Sequence, residues 1–189
     1  MGWGGPYRAV GKLGEGGMGI VYAAIDAIGT PVAVKVIKDA DADLVARRRF
    51  EREARVARSL SHPGLCRILD VGETGGAPYI AMERLDGEAL AARMKRGALP
   101  LGEAVGIGLS VLEALQAIHE AGLVHRDLKP SNVFLTSTGP KLLDFGLARP
   151  VALSEPADGE TGSVLTQAGE ILGTPHYMAP EQVTGGAVD

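Results

Sequence analysis

The run Gly14-Glu15-Gly16-Gly17-Met18-Gly19 separates two short apolar segments, YRAVGKL (residues 7–13) and IVYAAI (residues 20–25). The second of these segments constrains the fold class. A G-x-G-x-x-G run that binds a dinucleotide opens directly into a helix, whose N-terminus meets the pyrophosphate. Asp39 stands near the place where that fingerprint wants an acid. Here, however, the glycines open into a short β-branched run, so strand, glycine loop and strand are expected. Such a loop can lie over phosphates with its backbone N–H groups, because glycines carry no side chain to hold it off. A flexible hairpin tip is the alternative reading.

A third run, PVAVKVI, comes after a Gly-Thr-Pro turn at 29–31. Leu44, Val45, Phe50, Ala54, Val56, Ala57 and Leu60 then sit at helical spacing. Acids lead that segment, arginines close it and Pro63 lies beyond its end. Its arginines between Arg47 and Arg58 read as a solvated face that pairs with nearby acids. LCRILDVG and APYIAMERL form a second hairpin. From Glu88 onward the pattern is helical, clearest in EAVGIGLSVLEALQAIHEAG, which ends at Gly122. NVFL and KLLDFG flank Gly139-Pro140. Residues 151–170 keep no period and read as a long loop. The expected architecture is α+β, a small five-stranded antiparallel lobe with one helix over 1–84 and a mainly helical part over 85–189.

Composition narrows the partners. The net charge of −4 gives no support for nucleic acid or a membrane surface as a partner by bulk attraction. The N-terminus MGWGGPYR has no apolar stretch for a signal peptide, and no run of about 18 uninterrupted apolar residues is present. The expectation is a cytoplasmic segment without a membrane span. The single cysteine, Cys66 in GLCRIL, excludes an internal disulfide and reads as a buried thiol.

The chemistry gathers in LVHRDLKPSNVFL, residues 123–135. Asp127 can accept a proton from a hydroxyl or orient it, and Lys129 can offset charge on a transferred phosphoryl group. Asn132 and Asp144 are oxygen donors of the kind that suits a hard cation such as Mg²⁺, with phosphates supplying further oxygens. Lys35 ends the run V-A-V-K. A strand lysine is usually just exposed, but one facing phosphates needs a carboxylate to orient it, and Glu53 on the following helix is a candidate. These are the parts that phosphoryl transfer requires.

Together the residues resemble the protein-kinase signature set: the glycine loop at 14–19, V-A-V-K at Lys35, H-R-D-L-K-P-S-N from His125, D-F-G from Asp144 and A-P-E from Ala179. FEREA, SHPG, PYIAMERLDG and GTPHYMAPEQ are most similar to the eukaryotic-like Ser/Thr kinases of bacteria. The resemblance implies a two-lobed kinase fold that uses ATP and Mg²⁺ to phosphorylate Ser or Thr hydroxyls of proteins, and it allows self-association through the smaller lobe. It pairs Lys35 with Glu53. It makes Met82 the gatekeeper and Glu83 to Leu85 the hinge that meets the adenine edge. Leu13, Val21 and Ala33 become the roof of the adenine pocket and Phe134 part of its floor. Gly14, Gly16 and Gly19 approach the phosphates. Lys129 and Thr174 carry the Ser/Thr-type pattern. Arg126, with Arg149, would hold a phosphorylated activation-loop residue, for which Thr166 is favoured over Thr161 and Ser163; Glu170 is a weaker stand-in for such a charge.

The sequence departs from the family at its end. It stops at EQVTGGAVD, where a complete kinase continues with further helices, including an arginine partner for Glu181. The helix at 103–121 is therefore expected to leave apolar surface uncovered. A fragment of a longer product is one expectation. The alternative to an enzyme is a truncated nucleotide-binding or interaction module; a dinucleotide-dependent oxidoreductase rests on the glycine loop alone.

Overall fold

The computed structural model describes residues 6–16, 19–37, 44–145 and 177–184. Strands β1 (Arg8–Gly16), β2 (Gly19–Ile25), β3 (Pro31–Ile37), β4 (Ile68–Thr74) and β5 (Ala77–Glu83) form one antiparallel sheet in the order β1-β2-β3-β5-β4. The glycine loop runs from strand to strand, as its β-branched sequel predicts. Helix α1 (Leu44–Ser59) packs against β4.

Period-two alternation decides which way β3 faces. Val32 and Val34 join Ala24, Tyr79 and Ala81 in a core cluster on one side of the sheet. Ala33, Lys35 and Ile37 point to the other side, and β5 pairs there as Lys35↔Ile80 and Ala33↔Met82. That second face meets α1, which buries Phe50, Ala54 and Ala57 at helical spacing. Lys35 is thus carried inward by its apolar neighbours and is 7 % exposed. On the outer side of α1, Arg52 and Arg55 are exposed and Arg58 pairs with Asp70 at 3.3 Å, the solvated basic face expected. Cys66 is buried, and burial pushes its thiol up to about 12, so it is an unreactive core thiol.

Beyond the sheet, β6 (Gly87–Ala89), α2 (Leu90–Met94), α3 (Leu101–Glu120), a 3₁₀ turn (Pro130–Asn132), β7 (Val133–Thr136), β8 (Gly139–Leu142) and α4 (Pro180–Thr184) come in order. The helical reading from Glu88 is corrected at its start, where β6 pairs with β7 in a second small sheet, β6-β7-β8. Three residues are too few to display a period, so tertiary pairing sets this strand. Helix α3 packs on β8 and sends Ala114 and Ile118 into the core. Leu101, Val105, Leu109 and Leu112 leave an exposed apolar stripe along it, as the sequence leads one to expect. Among the described residues it is the one helix long and apolar enough to cross a membrane, a property core helices share.

Three polar side chains are buried among the described residues: Lys35, His125 and Asn132. His125 is 2 % exposed, and burial lowers its imidazole from the usual 6.5. Its Nε2 has no hydrogen-bond partner among the described residues. A histidine kept neutral by folding contributes stability above the unfolded-state pKa, and that stability is lost as pH falls toward the lowered folded value.

Packing at a glycine and at this histidine can be tested directly. Gly19 has φ +152°, and a Cβ there would stand 2.0 Å from the carbonyl oxygen of Val36. Gly14 and Gly16 have nothing within 4 Å of theirs. In urea denaturation, Gly19→Ala will lower stability by ~2 kcal/mol or more, whereas Gly14→Ala and Gly16→Ala will stay within ~0.5 kcal/mol of the parent. Stability of the parent will fall as pH drops below about 6.5, and this component will be missing in His125→Phe; parallel pH profiles would count against it.

Candidate active site

The site is built where the inner face of β3 meets the segments around β7 and β8. Phe145 and Leu142 are almost fully buried and bracket Asp144, whose φ is +55°. Left-handed backbone at a non-glycine residue costs ~1–3 kcal/mol. Burying the two apolar side chains supplies ~1.5–3 kcal/mol each, enough to hold it. The result is a 2.8 Å ion pair from Lys35 Nζ to Asp144 Oδ2.

The loop before β7 is organised around Asp127. Lys129 Nζ lies 2.8 Å from Asp127 Oδ1 and 2.7 Å from Oδ2. Asn132 Nδ2 donates to the Asp127 carbonyl at 2.8 Å and to its Oδ2 at 3.0 Å. The 3₁₀ turn places Asn132, with its N–H on the Lys129 carbonyl at 2.9 Å. The Asn132 carbonyl in turn accepts the N–H of Leu143 at 2.9 Å, which brings Asn132 beside the residue that precedes Asp144. The candidate base, the cation and the two candidate metal donors are thereby assembled within one hydrogen-bonded unit.

Glu53 requires a correction. The resemblance pairs it with Lys35, but Lys35 pairs with Asp144, and Glu53 Oε1 lies 3.5 Å from Arg126 Nη1. Arg126 has φ +61° and a long planar guanidinium, so the loop aims a cation at α1.

Met82 and Glu83 end β5, with Leu85 just after it; all three are half-buried. The Glu83 N–H is already used by the Arg67 carbonyl at 2.9 Å. Its side chain turns away toward β8, taking Lys141 Nζ at 2.7 Å and the Arg67 N–H at 2.9 Å, while Lys141 also reaches the Leu65 carbonyl at 3.2 Å. Sequence reasoning missed Lys141; a lysine inside the apolar run KLL was the available signal. Val21 and Phe134 are half-buried, Ala33 is buried, and Leu13 on β1 is exposed. Thr174, Arg149, Thr166, Thr161, Ser163 and Glu170 lie outside the described residues.

The donor set fits a hard cation. Asp144 and Asn132 offer a carboxylate and an amide oxygen, and the described residues contain no cluster of three or more His, Cys, Asp or Glu able to cage a metal alone. A Mg²⁺ ion here would complete its shell with phosphate and water oxygens, as is usual for that ion.

Comparison with known proteins bears on the family and the fold. The protein kinase domain family matches residues 7–189. The chain is 41% identical over 191 residues to the serine/threonine-protein kinase pkn2 of Myxococcus xanthus, covering 98% of this chain and 22% of that protein. It is 41% identical over 186 residues to the probable serine/threonine-protein kinase PkwA of Thermomonospora curvata, covering 97% and 24%. The chain thus spans about a quarter of the length of these relatives. A crystal structure of the Mycobacterium tuberculosis PknI kinase domain superposes with a TM-score of 0.76 at 34% identity, over 100% of this chain and 69% of that one. The fold, the order of the signature residues and these likenesses together make the chain a member of the protein kinase domain family.

Proposed function

We propose that this chain is the catalytic segment of a Ser/Thr protein kinase that moves the γ-phosphoryl group of ATP to protein Ser or Thr hydroxyls. Residues 1–84 form its nucleotide-binding lobe and 85–189 carry the catalytic loop and activation segment. The observation that carries the reading is the Asp127–Lys129–Asn132 unit, tied through Leu143 to Asp144 and thence to Lys35.

In this reading Asp127 orients the incoming hydroxyl and takes its proton as the oxygen bonds to the γ-phosphorus and the bond to the ADP oxygen breaks. Lys129 balances charge on the phosphoryl oxygens. Lys35 holds the α- and β-phosphates. Asn132 and Asp144 hold Mg²⁺, which when bound neutralises phosphate charge. Gly14, Gly16 and Gly19 let the loop backbone close on the phosphates. Leu13, Val21, Ala33 and Phe134 enclose the adenine, beside the Met82 gatekeeper and the backbone of Glu83 to Leu85. Thr174 supports the Ser/Thr pattern.

The observed pairs supply a regulatory reading. A phosphate on Thr166 would compete with Glu53 for Arg126, with Arg149 assisting, and would release Glu53 toward Lys35. Protein substrates, autophosphorylation and a cytoplasmic site of action, where ATP is available, belong to the same proposal. Self-association through the smaller lobe is compatible with it.

The experiment is transfer of labelled γ-phosphate from ATP·Mg²⁺ to the chain itself and to a generic basic protein. Asp127→Asn will lower transfer by about 10²–10⁴-fold with ATP affinity retained. Equal turnover in the variant would refute the role of Asp127, and ATP binding without any transfer by the parent would favour a binding module.

A further inference from the structure

The peptide that enters Asp127 is held in an unusual way. Arg126 has φ +61°, and the Asp127 N–H folds back onto the His125 carbonyl at 2.8 Å, a tight three-residue turn. Such turns are strained and persist only when their surroundings hold them. The remaining end of that peptide, the Arg126 carbonyl, accepts a 2.7 Å hydrogen bond from Gln182 Nε2 on α4, 56 residues away.

Gln182 is itself oriented. Pro180 opens α4 and Ala179 precedes it, which makes Gln182 the third helical residue. Its Oε1 accepts the Ala179 N–H at 3.0 Å, while its own N–H bonds to the Ala179 carbonyl at 3.0 Å. This is the side-chain half of a capping box. With Oε1 committed to the cap, Nε2 faces away from the helix and toward Arg126, which fixes which end of the amide is the donor.

We propose that Gln182 is a positioning residue for phosphoryl transfer, setting the direction of Asp127 through the Arg126 carbonyl. Both peptides that flank Asp127 are then pinned by side-chain amides, the preceding one by Gln182 at 2.7 Å and the following one by Asn132 at 2.8 Å. A peptide group is planar, so tying its N–H to His125 and its C=O to Gln182 fixes the plane from which Asp127 departs. The link also couples the A-P-E helix to the catalytic loop, so displacement of α4 is transmitted to Asp127. This inference rests on the role proposed for Asp127.

The test uses Gln182→Glu and Gln182→Met. The glutamate keeps the acceptor for the Ala179 N–H and the side-chain length but sets a carboxylate oxygen against the Arg126 carbonyl. The methionine loses both bonds. Steady-state transfer and amide hydrogen exchange are measured on the same preparations. Gln182→Glu is expected to lower kcat by on the order of tenfold or more, while KM for ATP stays within about twofold. Exchange at the Asp127 amide is expected to quicken by about tenfold, with the amides of β3 and β5 unchanged as a control for folding. Gln182→Met should match it or exceed it, and serves alone if the glutamate variant does not fold. Unchanged Asp127 exchange, or a kcat within about twofold of the parent in both variants, would overturn the proposal. A parent that transfers no phosphate would tell against the proposed function, and the exchange arm would still decide whether Gln182 holds Asp127.

Discussion

The ion pair between Lys35 and Asp144 is the interaction on which the site depends. It joins the inner face of the five-stranded sheet to the segment just after β8. A partly buried pair of this kind is weak evidence for stability, because desolvation offsets much of the attraction. Its value is positional. Lys35 is brought inward by the alternation of β3, and Asp144 is held in a strained conformation by buried Leu142 and Phe145. Apolar packing on both sides therefore determines where two opposite charges meet. A phosphate and a cation arriving there would find a lysine and a carboxylate already placed.

Strain and its supports recur around Asp127. Arg126 and Asp144 are the two non-glycine residues with positive φ among the described ones, and both are themselves candidate site residues. Each is enclosed by groups that hold it: buried apolar side chains for Asp144, and His125, Gln182 and Glu53 around Arg126. The glycine loop divides differently. Gly19 is needed by the fold because the Val36 carbonyl leaves no room for a Cβ, while Gly14 and Gly16 are unconstrained by packing. A requirement for side-chain-free backbone at those two would come from a ligand.

Much of this was legible in the sequence, for physical reasons. The β-branched run PVAVKVI announces a strand, and Phe50, Ala54 and Ala57 announce the buried side of α1; that Lys35 is buried on the inner face of β3 emerged only in three dimensions. The cluster from His125 to Asn132 declares its chemistry by residue type. Partner choice was not legible. The sequence offers Glu53 more than one cation, and its pairing with Arg126, while Lys35 pairs with Asp144, depends on the placement of side chains in three dimensions. Strand β6 was hidden by its length. Lys141 and Gln182 lie beside D-F-G and within A-P-E-Q, but their partners are 58 and 56 residues distant and no local pattern signals them.

The most direct measurement is calorimetric titration of ATP, with and without Mg²⁺, into the parent and into Asp144→Asn. If Lys35 receives phosphate and Asp144 receives the metal, Mg²⁺ will tighten ATP binding to the parent. The variant will bind metal-free ATP at least as well, since its lysine is no longer neutralised, and will gain nothing from Mg²⁺. An equal gain from Mg²⁺ in both proteins would contradict the account.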